Sequence, residues 1–235
     1  MNNVLITGGS RGIGAACVKA FAENGWRVFF TYLNSEPEAH VLAAETGAKA
    51  LKCDVSKVED IYEIEQEIAK FGGRFHAIVN NAGIAEQKMF TDITESEWDR
   101  MFNVNIKGMY LVTKRFIPKM ISAHEGSIIN VSSVWGMGGG SCEVHYSASK
   151  AAVIGFTKSL ACEMGPSGIR VNCVAPGVID TKMNSHLSDE DIRVLEEETP
   201  LCRIGKPEEV AETIVFLADK GSFITGEVIK VSGGF

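Results

Sequence analysis

In the segment HYSASK, His145 to Lys150, a tyrosine and a lysine stand four residues apart with only small residues between them. On a helix, positions i and i+4 share a face, so Tyr146 and Lys150 point together. A free tyrosine has a pKa of about 10 and is a poor acid–base catalyst at neutral pH. An ammonium beside it favours the phenolate and draws that pKa down. The pair is a candidate for moving a proton. His145 adjoins the tyrosine, but neighbours in a helix face different ways, and the chain has no GxSxG elbow of a serine hydrolase. His145 is expected to wall a substrate pocket or to meet another subunit. Cys142 has no acid–base partner nearby in sequence and is expected to line the pocket as a thiol rather than act as a nucleophile.

A second segment supplies a place for a reacting partner. TGGSRGIG, Thr7 to Gly14, follows the first β-rich run and opens the first helical pattern. Glycines in such a turn let backbone N–H groups approach a pyrophosphate, and the helix N-terminus favours its charge. The spacing, Gly8-xxx-Gly12-x-Gly14, is one residue off the common GxGxxG. An NAD site usually carries an acid about 20 residues beyond the glycines, on the ribose 2′-hydroxyl. Here the second strand ends at Tyr32-Leu33-Asn34 without one, and Glu36 falls in the next helix. Arg11 lies inside the loop, where a guanidinium can fork onto a 2′-phosphate. The cofactor is therefore expected to be NADP(H).

The elements that must hold these residues are legible as an alternation. The runs NVLIT, RVFFTY, AKALKC, FHAIVN, GSIINVSS, IRVNCVAP and EVIKVSG read as strands. Helical patterns near 12–24, 36–46, 57–71, 96–122, 145–165 and 207–218 separate most of them. Near-continuously apolar strands, each followed by a helix, predict a parallel sheet covered on both faces. The expected fold is α/β: a single-domain, doubly wound Rossmann fold over residues 1–235, with a seven-stranded parallel sheet. The stretch 177–200 is too long for a simple connection and is expected to form a substrate lid, helical and acidic from Met183 to Glu198.

Composition narrows the class. The net charge is −7 and no Lys/Arg run occurs, which argues against a nucleic-acid partner. No apolar run reaches the roughly 18 residues of a membrane span, and Met1 leads into VLITGG without a basic n-region, so no export signal is expected. The six cysteines form no CxxC pair, so reduced thiols and a cytoplasmic location are expected. With no HExxH or Cys/His cluster, no metal is expected.

Together these residues resemble the short-chain dehydrogenase/reductase family along the whole chain. TGGSRGIG resembles its cofactor loop, CDV its adenine contact at Asp54, and NNAG its motif after strand four. NVNIKG carries the helix asparagine at Asn105, INVSSVWG the serine at Ser133, YSASK the YxxxK, and APGVIDT the loop at the nicotinamide end. The resemblance implies catalytic roles for Asn105, Ser133, Tyr146 and Lys150. Tyr146 would protonate a carbonyl oxygen as hydride arrives. Lys150 would lower its pKa and bind the cofactor ribose, Ser133 would steady the substrate oxygen, and Asn105 would hold a relay water. It also implies that cofactor is held by Gly8, Ser10, Arg11, Gly12, Ile13, Gly14, Leu33, Asn34, Asp54, Val55, Asn81, Ala82 and Gly83. Tyr146, Lys150, Pro176, Gly177, Ile179 and Thr181 would complete that set.

Within the family the chain is most similar to bacterial 3-oxoacyl-acyl-carrier-protein reductases of fatty acid biosynthesis. Their C-terminal pattern matches RIGKPEEVAETIVFLAD and ITGEVIKVSGG. Acyl carrier protein and a homotetramer are the partners this implies. Those reductases tend to carry basic residues before strands five and six, where this chain has His124, Glu125 and Ser167, so weak carrier docking is expected. Trp135 and Met137 are expected on the substrate side. The segment SCEVHYSASK resembles 5-aminopentanone reductases acting on modified elongation factor P, with Glu143 available to an amine. A small-molecule or steroid ketone reductase is the third reading.

Overall fold

The computed structural model describes residues 1–235 except Gly73, Ser185 and His186. Seven strands form one sheet in the order β3-β2-β1-β4-β5-β6-β7, with every pairing parallel. They are β1 (Asn3–Ile6), β2 (Arg27–Tyr32), β3 (Lys49–Lys52), β4 (Ala77–Asn80), β5 (Gly126–Val131), β6 (Ile169–Pro176) and β7 (Val228–Val231). All seven fall within the runs read from the sequence.

Side chains on successive strand residues point to opposite faces, and both faces here are apolar. Val4 and Ile6 pack with Val18, Phe21, Ile214 and Leu217, under α1 (Gly12–Glu23) and a late helix, Pro207–Asp219. Leu5 points the other way, into a core with Phe29, Ile78, Ile128, Ile64 and Phe116. The helix α2 (Glu36–Thr46), beside β3, adds Ala39 and Leu42 to the first layer, and α3 (Val58–Ala69) adds Ile61, Ile64 and Ile68 to the second. A strand buried on both faces cannot alternate polar with apolar, which is why the strands read as continuous apolar runs.

The pattern 96–122 does not form one helix. It divides into α4 (Glu95–Phe102), a wider π turn over Asn103–Gly108, and α5 (Met109–Ala123). The apolar periodicity continues through the turn, so the sequence carries no break there. Such turns widen the helix locally and re-aim a side chain, and here Asn105 is that residue. A short helix, α6 (Trp135–Gly138), precedes the long α7 (Val144–Met164). The described part of 177–200 contains a 3-10 turn, Lys182–Asn184, and α8 (Asp189–Glu198), which is fixed at its start by a reciprocal Ser188–Asp191 cap. Residues 185 and 186 of the expected lid lie outside the described residues. The helix Pro207–Asp219 is α9.

Candidate active site

The sheet order reverses between β1 and β4, and α/β folds open a crevice at that point beyond the carboxyl ends of the strands. The glycine loop stands there. A Cβ on Gly14 would lie 2.1 Å from Gly8 O and 2.6 Å from Asn81 Nδ2, and one on Gly8, at φ +65°, would lie 2.9 Å from Ala82 Cα. The loop after β4 is tied to it. Asn81 Nδ2 donates to Thr7 O and Gly8 O, both at 3.0 Å, while Thr7 Oγ1 accepts from Asn81 N and Ala82 N. The result is a backbone-lined cradle at the start of α1, chemically suited to a diphosphate.

The other residues expected at the cofactor lie beyond the carboxyl ends of neighbouring strands. Leu33 and Asn34 follow β2, and Asp54 and Val55 follow β3. Asp54 Oδ1 accepts from Ser56 N and Oγ at 3.0 and 2.7 Å. Ile13, Asn81, Gly83, Pro176, Gly177, Ile179 and Thr181 line a cleft of about 700 Å³ together with Ser133, Tyr146 and Lys150. These residues fit a dinucleotide. Ser10 and Arg11 lie in the loop, and Arg11 is exposed at the N-terminus of α1. An acid does stand near the guanidinium. Glu38, in the first turn of α2, pairs with Lys182 at 3.5 Å, and its carboxyl is held low by its own backbone amide, Lys182 and Arg11.

Helix α7 carries Tyr146 and Lys150 into the cleft. Lys150 Nζ lies 5.7 Å from the Tyr146 ring centroid and donates to Val131 O at 3.0 Å. Burial pushes the Tyr146 phenol up to about 12; a hydrogen bond with Ser133 lowers it and the charge of Glu143 raises it. Burial brings Lys150 down to about 8. The expectation that Lys150 lowers the tyrosine pKa is therefore corrected: the phenol is raised. Desolvation of the phenol wins, because the ammonium is directed at Val131 O and is itself desolvated. Below about pH 8 the lysine is charged and the phenol protonated, which is the state that can donate a proton.

Asn105 ties two elements of the site together. Its Oδ1 accepts from Ile84 N at 2.8 Å, and its Nδ2 donates to Ile84 O at 2.9 Å and to Ser149 Oγ at 3.0 Å. The amide clamps the loop after β4 against α7. Two supporting groups went unrecognised in the sequence. Ser132 Oγ donates to Lys150 O at 2.8 Å, fixing the helix turn that bears the lysine. Asn80 Nδ2 donates to Asn130 Oδ1 and Thr113 Oγ1, and Asn130 Nδ2 donates to Thr157 Oγ1, tying β4 and β5 to α5 and α7. Polar residues inside otherwise apolar strands were the available signal, since such groups need buried partners.

The substrate end is walled by Trp135, Glu86, Glu143, Met183, Asp191 and Leu195, among others. Met137 is exposed and not in the wall. Cys142 is not in the wall either; its Sγ lies 3.5 Å from Met89 Sδ. His145 is wholly buried and outside the cleft lining, so neither a pocket wall nor a subunit contact describes it. His124 and Glu125 precede β5, and Ser167 precedes β6. They lie at the opposite edge of the sheet from Ser133, about 20 Å away along a six-residue strand. Glu125 is moreover ion-paired with Arg74.

Residues 8–235 match the family model described as enoyl-(acyl carrier protein) reductase. The chain is similar to the 3-oxoacyl-(acyl-carrier-protein) reductase of Thermotoga maritima, at 41% identity over 98% of this chain and 96% of that protein. It is similar to the crystal structure of 3-oxoacyl-(acyl-carrier protein) reductase from Brucella melitensis, at TM-score 0.92 and 36% identity, covering 100% of this chain and 91% of that one. A Brucella melitensis structure named as a ribose-5-phosphate isomerase has the same TM-score, 0.92, at 32% identity, covering 99% of this chain and 92% of that one. One backbone thus carries different named activities, and the site residues must decide among them.

Proposed function

The chain belongs to the short-chain dehydrogenase/reductase family, and on that premise we infer that it is an NADPH-dependent 3-oxoacyl-(acyl-carrier-protein) reductase. The observation that carries this is Tyr146, bonded to Ser133 and beside Lys150, in the cleft that begins at the glycine loop. The bound cofactor supplies hydride. Ser133 and Tyr146 hydrogen-bond the substrate carbonyl oxygen, and Tyr146 delivers its proton to that oxygen as negative charge develops there. Lys150 keeps a positive charge close to the phenolate that remains. Asn105, Ser132 and the Asn80–Asn130 network hold the loop and helix that carry these groups. The family model's description names reduction of a C=C bond, but a phenol placed to protonate oxygen suits a carbonyl, as do the names of the relatives.

Arg11 is read as the contact to the 2′-phosphate. Arg11→Ala is expected to raise KM for NADPH by roughly 10- to 150-fold, the loss of about 1.5–3 kcal/mol for a hydrogen bond to a charged group. KM for NADH and kcat should stay close to wild type, because that phosphate is remote from the hydride. Steady-state kinetics with both cofactors checks this; an equal rise for NADH would remove Arg11 from the role.

The lid reading of 177–200 rests on Met183, Asn184, Leu187, Asp191, Val194 and Leu195, all of which line the cleft. A homotetramer assembled through α4–α5, α7 and β7 is supported by exposed Tyr110 on α5 and Phe223 before the edge strand β7. No helix among the described residues is long and apolar enough to cross a membrane. A cytoplasmic location is in keeping with that and with the free cysteines.

One observation favours a second reading. Glu86, Glu143 and Asp191 line the cleft, where Lys150 is the sole Lys or Arg among the described residues, so an aminoketone would find a complementary field. The deciding experiment follows NADPH consumption with a 3-oxoacyl thioester on carrier protein, the same acyl group on a small thiol, and an aminoketone. The carrier-bound thioester is expected to show the highest kcat/KM. A higher value for the aminoketone, abolished by Glu143→Gln, would replace the first reading by the second.

A further inference from the structure

The buried histidine beside the catalytic tyrosine has no role in the reaction as derived above. Helix α7 turns Tyr146 and Lys150 toward the cleft and leaves His145, with Ser149 one turn further on, on the side of the loop after β4. Ser149 receives the Asn105 amide there, and Asn105 in turn holds both backbone polar groups of Ile84. Two residues beyond Ile84 lies Glu86. Its Oε2 is 4.0 Å from His145 Nε2. His145 is fully buried, and neither ring nitrogen has a hydrogen-bond partner. A buried imidazole without partners is penalised, and an aliphatic side chain would fill the same volume without that penalty.

We propose that His145 is a positioning residue that fixes Glu86 at the substrate wall, so that the Glu86 carboxylate accepts an N–H donor carried by the substrate. Glu86 is the nearest carboxylate and lies on the cleft side, partly exposed. A shift of about 1 Å brings it within bonding distance of Nε2–H. Filling the cleft strips water from the carboxylate, and the bond from the imidazole replaces it; a hydrogen bond to an ionised acceptor is stronger than a neutral one. Ring and carboxylate then form one unit, with the second carboxylate oxygen facing the cleft. The donor is an amide N–H of a thioester arm or an ammonium, which share this chemistry. The proposal rests on the reading of this cleft as a carbonyl-reducing site.

The experiment uses three ketones with the full-length protein and NADPH. Acetoacetyl-N-acetylcysteamine carries an amide N–H, an aminoketone carries an ammonium, and ethyl acetoacetate carries neither. In His145→Leu, KM for at least one N–H probe should rise roughly 10-fold, as for one lost bond to a charged group. KM for ethyl acetoacetate should rise far less, and His145→Gln, which keeps a donor, should recover part of the loss. Whether amide or ammonium shows the rise identifies the source of the donor. Glu86→Gln alone should reproduce the effect, and the double variant His145→Leu/Glu86→Gln should be no worse than either single one. A histidine that merely packs would raise all three KM values alike, with losses that add, and that result would overturn the proposal. If His145→Leu does not fold, Glu86→Gln decides, because its side chain is partly exposed; an unchanged probe preference then refutes the pair. If the wild type reduces none of the three, the catalytic reading fails and the proposal with it. Turnover without probe discrimination between wild type and Glu86→Gln sinks the proposal alone.

Discussion

Tyr146→Phe is expected to lower kcat by about 10²- to 10⁴-fold while cofactor affinity changes by no more than about threefold. The range is the usual contribution of a positioned proton donor, about 3–5 kcal/mol of barrier. The substitution removes one oxygen and keeps the ring, which is buried on α7. Ser133 loses the phenol but its Oγ retains the bond from Trp135 N at 3.2 Å, and Lys150 retains Val131 O, so neither group is left without a partner. Water does not substitute readily for the phenol, because the site that raises the tyrosine to about 12 also excludes solvent. Cofactor titration by fluorescence and single-turnover reduction of a ketone separate binding from chemistry. A variant that turns over near the wild-type rate would end the assignment of Tyr146 as the acid.

Gly14→Ala should be the more damaging change to binding. Its methyl group would stand 2.1 Å from the Gly8 carbonyl oxygen and 2.6 Å from Asn81 Nδ2, and the first of these is backbone. Relief requires moving the glycine loop or breaking the Asn81 bonds to Thr7 and Gly8. Overpacking of this kind costs about 1–3 kcal/mol and sometimes more. Cofactor Kd is expected to rise by at least about 100-fold, since the displaced backbone is the surface that a diphosphate would touch, and the thermal midpoint should fall. Gly155→Ala on α7 is the control. Nothing lies within 4 Å of its added Cβ, so the helix should gain roughly 0.5–1 kcal/mol with no effect on cofactor. Wild-type cofactor affinity in Gly14→Ala would show that the loop is not the cradle.

Much of this was legible because it is written in contiguous residues. The strand–turn–helix of Asn3 to Glu23, with glycines where backbone must approach backbone, is a local pattern with a local cause. The same is true of Tyr146 and Lys150, whose separation by four positions is enough to aim both from one helix face. Apolar strands alternating with helices pointed to a parallel sheet, whereas the order β3-β2-β1-β4-β5-β6-β7 is a matter of which distant strands pair. The acid-free end of β2 could be read directly, whereas the approach of Glu38 to Arg11 could not, because α2 must first fold back toward the loop.

The sequence by itself determined the fold class, the position of the glycine cradle and the Tyr146/Lys150 pair, since each depends on residues within a few turns of one another. Only the tertiary structure decided what surrounds them. Burial, not Lys150, governs the resting phenol; Asn105 is spent on Ile84 and Ser149; Cys142 and Met137 lie outside the cleft, and His145 is buried against Glu86. His124 and Ser167 stand at the far edge of the sheet. Each of these outcomes depends on which distant segments meet and on how much water is left between them. Desolvation and partner choice are properties of the packed interior, and no spacing along the chain encodes them.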